Sequence, residues 1–319
     1  MKKNITEDLF DDKYYIIDHY EVYKNYKKDD VGGFEVIEEA YIEEYEIALS
    51  QNKIPVLYCA TDSWVWEFEP LLEKMPKAIP ITNCLGNVPS KFKWLPHWLI
   101  STDTDPAPIV KTKVPSIRWS LWVRRPRPWR IELLKEIAAQ QCTSGEIVFP
   151  KHLIEPKGNR TWSTTKELFQ DDVLYNYIEP YIKSPIGISA GENGAYKPMW
   201  EIRQNRAIDV ITETSPYSKN GEVFFSEKTF KALRAGQLFL LFGQPNSIKE
   251  LKKLGFITFD NIINHDYDSI EDISVRTKLI VKELKRLSDI DKDKWNKIWE
   301  GTYTARMYNQ SHLKKHWTI

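Results

Sequence analysis

Cysteine is scarce in this 319-residue chain, and the patterns missing around its three thiols are informative. Cys59, Cys84 and Cys142 are odd in number and form no Cys-x-x-Cys or Cys/His spacing. That argues against a disulfide framework and a sequence-encoded zinc site, and it suits a reducing compartment. Long apolar runs are lacking too; none approaches the roughly 18 residues of a membrane span. The opening MKKNITEDLFDDKYY carries acids where a secretory leader has its apolar stretch. Neither charge prevails: 45 Lys and Arg balance 45 Asp and Glu, for a formal net charge of zero. A globally basic nucleic-acid coat is thereby excluded, while a local basic patch is not. No internal repeat or low-complexity tract is present. These absences predict a cytoplasmic protein without a membrane partner.

Aromatic residues, by contrast, are abundant, with 12 Trp, 16 Tyr and 13 Phe. Such rings fill cores and also line sugar and base sites, so their number alone does not choose between the two. An apolar share of 42% with 28% charge suffices for sizeable cores, and the length suits two α/β domains of about 100–200 residues each. Periodicity predicts a helix within residues 34–51, a buried strand at 55–60, a short helix near 71–74 and a strand near 79–81. Residues 101–116 form a Pro-rich polar break, and the domain boundary is placed there, giving domains 1–110 and 111–319. Alternation then restarts with a strand at 117–123, a helix at 128–140 and a strand at 146–149. A long connection with one helix at 168–182 leads to a strand at 207–212. There follow a helix at 227–235, a strand at 237–242, a helix at 247–254, a strand at 256–259 and a helix at 270–287. A Trp-bearing terminal helix from about 291 is expected to pack back on the N-terminal domain. Short apolar strands separated by helices predict mostly parallel sheets covered on both faces, in two Rossmann-like domains.

One stretch, 208–243, concentrates chemistry. A buried strand delivers Glu213 to the carboxyl end of the sheet, where ligands bind in open α/β folds. The chain returns at Ser226-Glu227-Lys228-Thr229, with Ser226 as N-cap and an acid in the first turn of a helix. One reading takes Glu227 simply as a capping acid and Lys228 as solvated surface. The alternative is a nucleotide-diphosphate site, in which free N–H groups and the lysine face the phosphates and the carboxylate accepts from a ribose diol. A second stretch, RWSLWVRRPRPWR at 118–130, interleaves five arginines with three tryptophans across a strand-to-helix junction. It reads as a solvated basic face, as a phosphate-binding fork set, or as a nucleic-acid platform.

The order of these features resembles the donor-binding domain of GT-B-fold glycosyltransferases, especially the fucosyltransferase group and related phage-encoded proteins. An arginine-rich strand-to-helix turn (Arg124, Arg125, Arg130) is followed by a strand ending in Glu213. The helix start Ser226-Glu227-Lys228 comes next, and then the small-residue turn Ala235-Gly236 and Gly243. The similarity covers roughly residues 117–260, and the stretch 254–270 is similar to a segment recurrent in the phage group. The resemblance implies that Glu227 holds the donor ribose, while Lys228 and an arginine neutralise the departing diphosphate. It implies a nucleotide sugar as co-substrate, no other cofactor, and donor-binding roles for Arg124, Arg125, Arg130, Glu213, Ser226, Glu227, Lys228 and Thr229.

Breaking a glycosyl–phosphate bond puts negative charge on the β-phosphate, which Lys and Arg can stabilise without a metal. Metal-independent, inverting transfer is therefore expected, with Asp291-Lys-Asp293 set aside because it lies in a helical charge run. A general base must take the acceptor proton. Asp62, Glu67 and Glu69, after the strand at 55–60 and beside Trp64 and Trp66, are the candidates, with His97 behind them. The acceptor is either a glycan or a hydroxylated base in phage DNA. The competing expectation is a non-catalytic nucleic-acid-binding protein that uses 118–130 as its platform.

Overall fold

A computed structural model describes residues 12–18, 22, 38–59, 65–95, 109, 114–123, 127–142, 144–148, 203 and 205–315. The expected helix at 168–182, and Asp62, Trp64, His97, Arg124 and Arg125, lie outside the described residues. In chain order the elements are β1 (Tyr14–Asp18), α1 (Glu38–Ser50), β2 (Ile54–Cys59), a 3-10 turn (Val65–Phe68) and α2 (Glu69–Lys74). They continue with β3 (Ile79–Thr82), β4 (Cys84–Gly86), β5 (Lys93–Trp94), β6 (Ile117–Trp122), α3 (Pro128–Ala139), β7 (Gly145–Val148) and β8 (Arg206–Thr212). Last come β9 (Glu222–Phe224), α4 (Glu227–Arg234), β10 (Leu238–Phe242), α5 (Ser247–Lys253), α6 (Ile273–Ser288), α7 (Lys292–Gly301) and α8 (Tyr303–Lys315). The chain is a mixed α/β protein with mostly parallel sheets.

Two compact units result. The first comprises Met1–Ser101 with Ser218–Phe225, the second Thr102–Tyr217 with Ser226–Ile319. In the first unit the sheet order is β1-β2-β3-β5, and every pairing is parallel. Alternation along β2 explains why it reads as an unbroken apolar run. Val56 and Tyr58 pack with Ile81 on one face, and Leu57 and Cys59 meet Tyr41, Tyr45, Leu71 and Leu72 on the other. Beside this sheet, β4 and β9 form an antiparallel pair. Strands this short carry no readable alternation, and the placement of Ser218–Phe225 in the first unit is not indicated by the sequence pattern.

In the second unit the order is β10-β8-β6-β7, again parallel throughout. Every residue of β8 and β10 is buried, as befits strands covered on both faces. Helix α3 buries Arg130, Leu133, Leu134 and Ile137, one stripe at helical spacing, and Pro128 occupies its first turn. Trp119 is fully buried and lies against Gly145, where an added Cβ would come within 1.8 Å of the indole. No strand forms at 256–259, contrary to the apolar pattern. Instead the Asn309 side chain accepts from the Ile257 N–H and donates to its carbonyl, both at 2.8 Å, in place of a neighbouring strand. The terminal segment is two helices rather than one. Helix α8 packs on α4 of its own unit, where Gln310 donates to the Arg234 carbonyl at 2.6 Å. No helix among the described residues is long and apolar enough to cross a membrane.

Candidate functional site

Two adjacent residues at the carboxyl end of β8 organise opposite faces of the sheet, because successive side chains alternate. Glu213 serves the α4 face. Its carboxylate accepts from the Ser226 N–H at 3.1 Å, the Ser226 hydroxyl at 2.5 Å and the Thr229 hydroxyl at 2.5 Å. All three residues are buried. Ser226 in turn is the N-cap of α4, with its hydroxyl oxygen accepting from the Lys228 N–H at 3.3 Å. Glu213 therefore grips the helix start from beneath, and Thr229 is taken up internally by the same carboxylate.

Glu227 and Lys228 stand at the top of this arrangement. The Lys228 Nζ donates to the Ser226 hydroxyl at 2.9 Å and lies 3.4 Å from Glu227 Oε1. Their side chains are 24% and 10% exposed respectively, so the lysine reaches solvent while the carboxylate is nearly enclosed. Burial pushes the Glu227 carboxyl up, but Lys228, Lys231 and its own backbone N–H outweigh that and hold it below the ordinary value. Glu227 is thus an anion kept ready to accept hydrogen bonds. The helix start supplies a positive dipole end beside an ammonium group.

The other face is occupied by arginines. Arg130, fully inside the fold, donates through Nη2 to the Thr212 and Glu213 carbonyls, each at 3.1 Å. Arg127 donates to the Thr214 carbonyl and lies over the Trp129 ring, 5.2 Å from its centre. Arg276 of α6 donates to the Pro216 carbonyl at 2.7 Å. Three guanidinium groups from α6 and the start of α3 thus hold the backbone that leaves β8. Beyond it, Tyr217 is 57% exposed and meets Trp129 edge to face at 5.9 Å. Arg276 does not stand out in the sequence, and the role of Arg127 within its arginine-rich segment is not readable there, because their acceptors are main-chain carbonyls, which every residue carries.

The other described residues of the Arg/Trp segment pack against the fold. Arg118 donates to the Leu287 and Ile290 carbonyls near the end of α6 and stacks over Trp295 at 4.1 Å. Trp122 lies under Arg203 and Arg206, whose charges meet Asp209 and Glu146. Among the described residues, then, Arg118, Arg127 and Arg130 do not form one solvated basic face. In the first unit, Glu67 falls in the 3-10 turn and Glu69 opens α2, partly exposed. Trp66 donates to the Asn87 carbonyl at 3.1 Å.

The Asp-x-Asp spacing is commoner than Asp291–Asp293 alone suggests. It also occurs at Asp103–Asp105, outside the described residues, at Asp266–Asp268 and at Asp289–Asp291. Asp268 accepts from the Ile248 and Lys249 N–H groups, and Asp291 caps α7, so both are engaged in helix starts. Neither a protein-family model nor a curated protein matches the chain.

Proposed function

We propose that the protein is a glycosyltransferase that moves a sugar from a nucleoside-diphosphate sugar to an acceptor hydroxyl, with inversion and without a metal. The observation that carries this reading is the start of α4. A nearly enclosed carboxylate and a partly exposed ammonium stand side by side at the start of a helix, at the carboxyl edge of a parallel sheet. In the proposed complex Glu227 accepts from the donor ribose diol. Lys228 and the helix start neutralise the diphosphate as the glycosyl–phosphate bond breaks. Glu213 acts as a positioning residue that fixes Ser226 and Thr229. Arg130 supports the same end of the sheet through its carbonyl contacts. A carboxylate of the first unit, Asp62, Glu67 or Glu69, is proposed to take the acceptor proton. The two units correspond in this reading to the acceptor and donor domains of a GT-B enzyme. The proposed setting is the cytoplasm, consistent with Cys59, Cys84 and Cys142 all being buried and in no disulfide.

A thermal-shift panel with UDP, GDP, CDP and dTDP tests the donor site. One of them should raise Tm at concentrations well above its Kd. Lys228→Ala or Glu227→Ala should remove that increment while leaving the unliganded fold intact. Nucleotide responses unchanged in both variants would overturn the assignment. Transfer activity should survive EDTA; its loss would instead bring Asp103 and Asp105 forward as metal ligands.

A further inference from the structure

The α6 face of the same sheet end holds donors with no acceptor among the described residues. Arg276 is 1% exposed, and its single hydrogen bond runs from Nη2 to the Pro216 carbonyl. Its Nε and Nη1 are buried without a partner, as are the hydroxyls of Thr277 and Thr212. Phe242 links Arg276 to Thr212, and Thr277 is the residue next to Arg276. The Arg276 guanidinium lies 5.6 Å from the centre of the Phe242 ring, and Phe242 is the ladder partner of Thr212. Partner residues of a parallel pair project from the same face. Thr277 follows Arg276 on the buried stripe of α6.

A guanidinium stays charged at any relevant pH, and burying it with unpaired donors is costly. Burial does lower the Arg276 pKa; Glu271, Asp268 and Asp272 oppose that only as neighbouring charges, without a hydrogen bond to it. A positive group with unused N–H donors, together with the unpaired hydroxyls of the adjoining Thr277 and of Thr212 on the facing strand, is the complement of an oxyanion with several oxygens. Both two-pronged edges of a guanidinium include Nη2, the nitrogen now held by Pro216. Bidentate recognition therefore requires the Pro216 carbonyl to give way.

We propose that Arg276, Thr277 and Thr212 form a phosphate-class oxyanion site at the carboxyl ends of β8 and β10. The oxyanion replaces the Pro216 carbonyl on Nη2 and releases the segment leading to Tyr217. The site lies on the sheet face opposite Glu213 and does not rest on the sugar-nucleotide reading.

The test is a titration of the full-length protein with inorganic phosphate, following Tm against chloride of equal ionic strength. Wild type should be stabilised by phosphate beyond the chloride control. Arg276→Lys and Thr277→Val should each weaken the apparent affinity by roughly tenfold. Thr277→Val keeps the guanidinium and its Pro216 contact, so it carries the test if Arg276→Lys folds poorly. Lys228→Ala should keep the phosphate response, which separates this site from the proposed nucleotide site. Competition between phosphate and the responding nucleoside diphosphate would identify the oxyanion as the donor's own, whereas independent binding would identify free phosphate. The proposal is overturned if wild type responds to phosphate no more than to chloride, or if Thr277→Val binds with wild-type affinity.

Discussion

On one side of the last residues of β8 an acid is completely satisfied; on the other a base is not. Glu213 meets three donors within 3.1 Å and holds the start of α4 in one geometry. Arg276 has one acceptor for three nitrogens. The first side is preorganised: what it presents, Glu227 and Lys228, sits on a helix start that has little freedom to move. The second holds its loop through carbonyl contacts that a better acceptor can displace. A single sheet edge thus combines a fixed platform with an exchangeable tie, and the difference follows from whether the buried charge finds its full set of partners.

The comparison can be broken at its rigid side first. Glu213→Ala would leave the Ser226 N–H and the Ser226 and Thr229 hydroxyls buried without an acceptor. Unsatisfied buried groups cost about 1–3 kcal/mol each, so a loss of at least about 3 kcal/mol is expected in urea unfolding. Glu213→Gln, which keeps an acceptor and the shape, should lose clearly less. Equal stability of Glu213→Ala and wild type would show that α4 does not depend on this grip. Next in size is Arg130→Met, which removes two carbonyl contacts at 3.1 Å and should cost about 1–3 kcal/mol by the same measurement. It should also loosen Tyr217 and its neighbours, visible as faster amide exchange over residues 212–217.

The smallest effect is a pH dependence. Glu227 has a folded-state pKa below its unfolded value, so it contributes stability above the unfolded pKa of about 4.3. That contribution is lost as pH falls from there through the folded pKa. Glu227→Gln should flatten this acid limb of a Tm–pH curve by lowering Tm at neutral pH, with the two proteins converging below the folded pKa.

Much of the second unit was legible because its signals are local. The apolar runs of β8 and β10 and the Ser-Glu-Lys start of α4 place those elements to within a residue or so. The grip of Glu213 on Ser226 and Thr229 was not legible, since it joins residues 13 and 16 positions apart through a loop. Arg276 was further out of reach, with an acceptor 60 positions away and no chemical label on it. At 256–259 the apolar pattern misled because Asn309 supplies from a distance what a strand partner would have supplied. β1 lies in an acidic, tyrosine-rich stretch, where its half-buried side chains leave only a weak pattern.

The pairing of β4 with β9 has a consequence for how this chain is made. Ribosomes deliver the N-terminus first, yet Cys84 must wait for Phe224 before its edge is covered. A fragment ending near Ser101 would emerge with that edge bare. Any attempt to express the first unit alone should therefore graft 218–225 onto it.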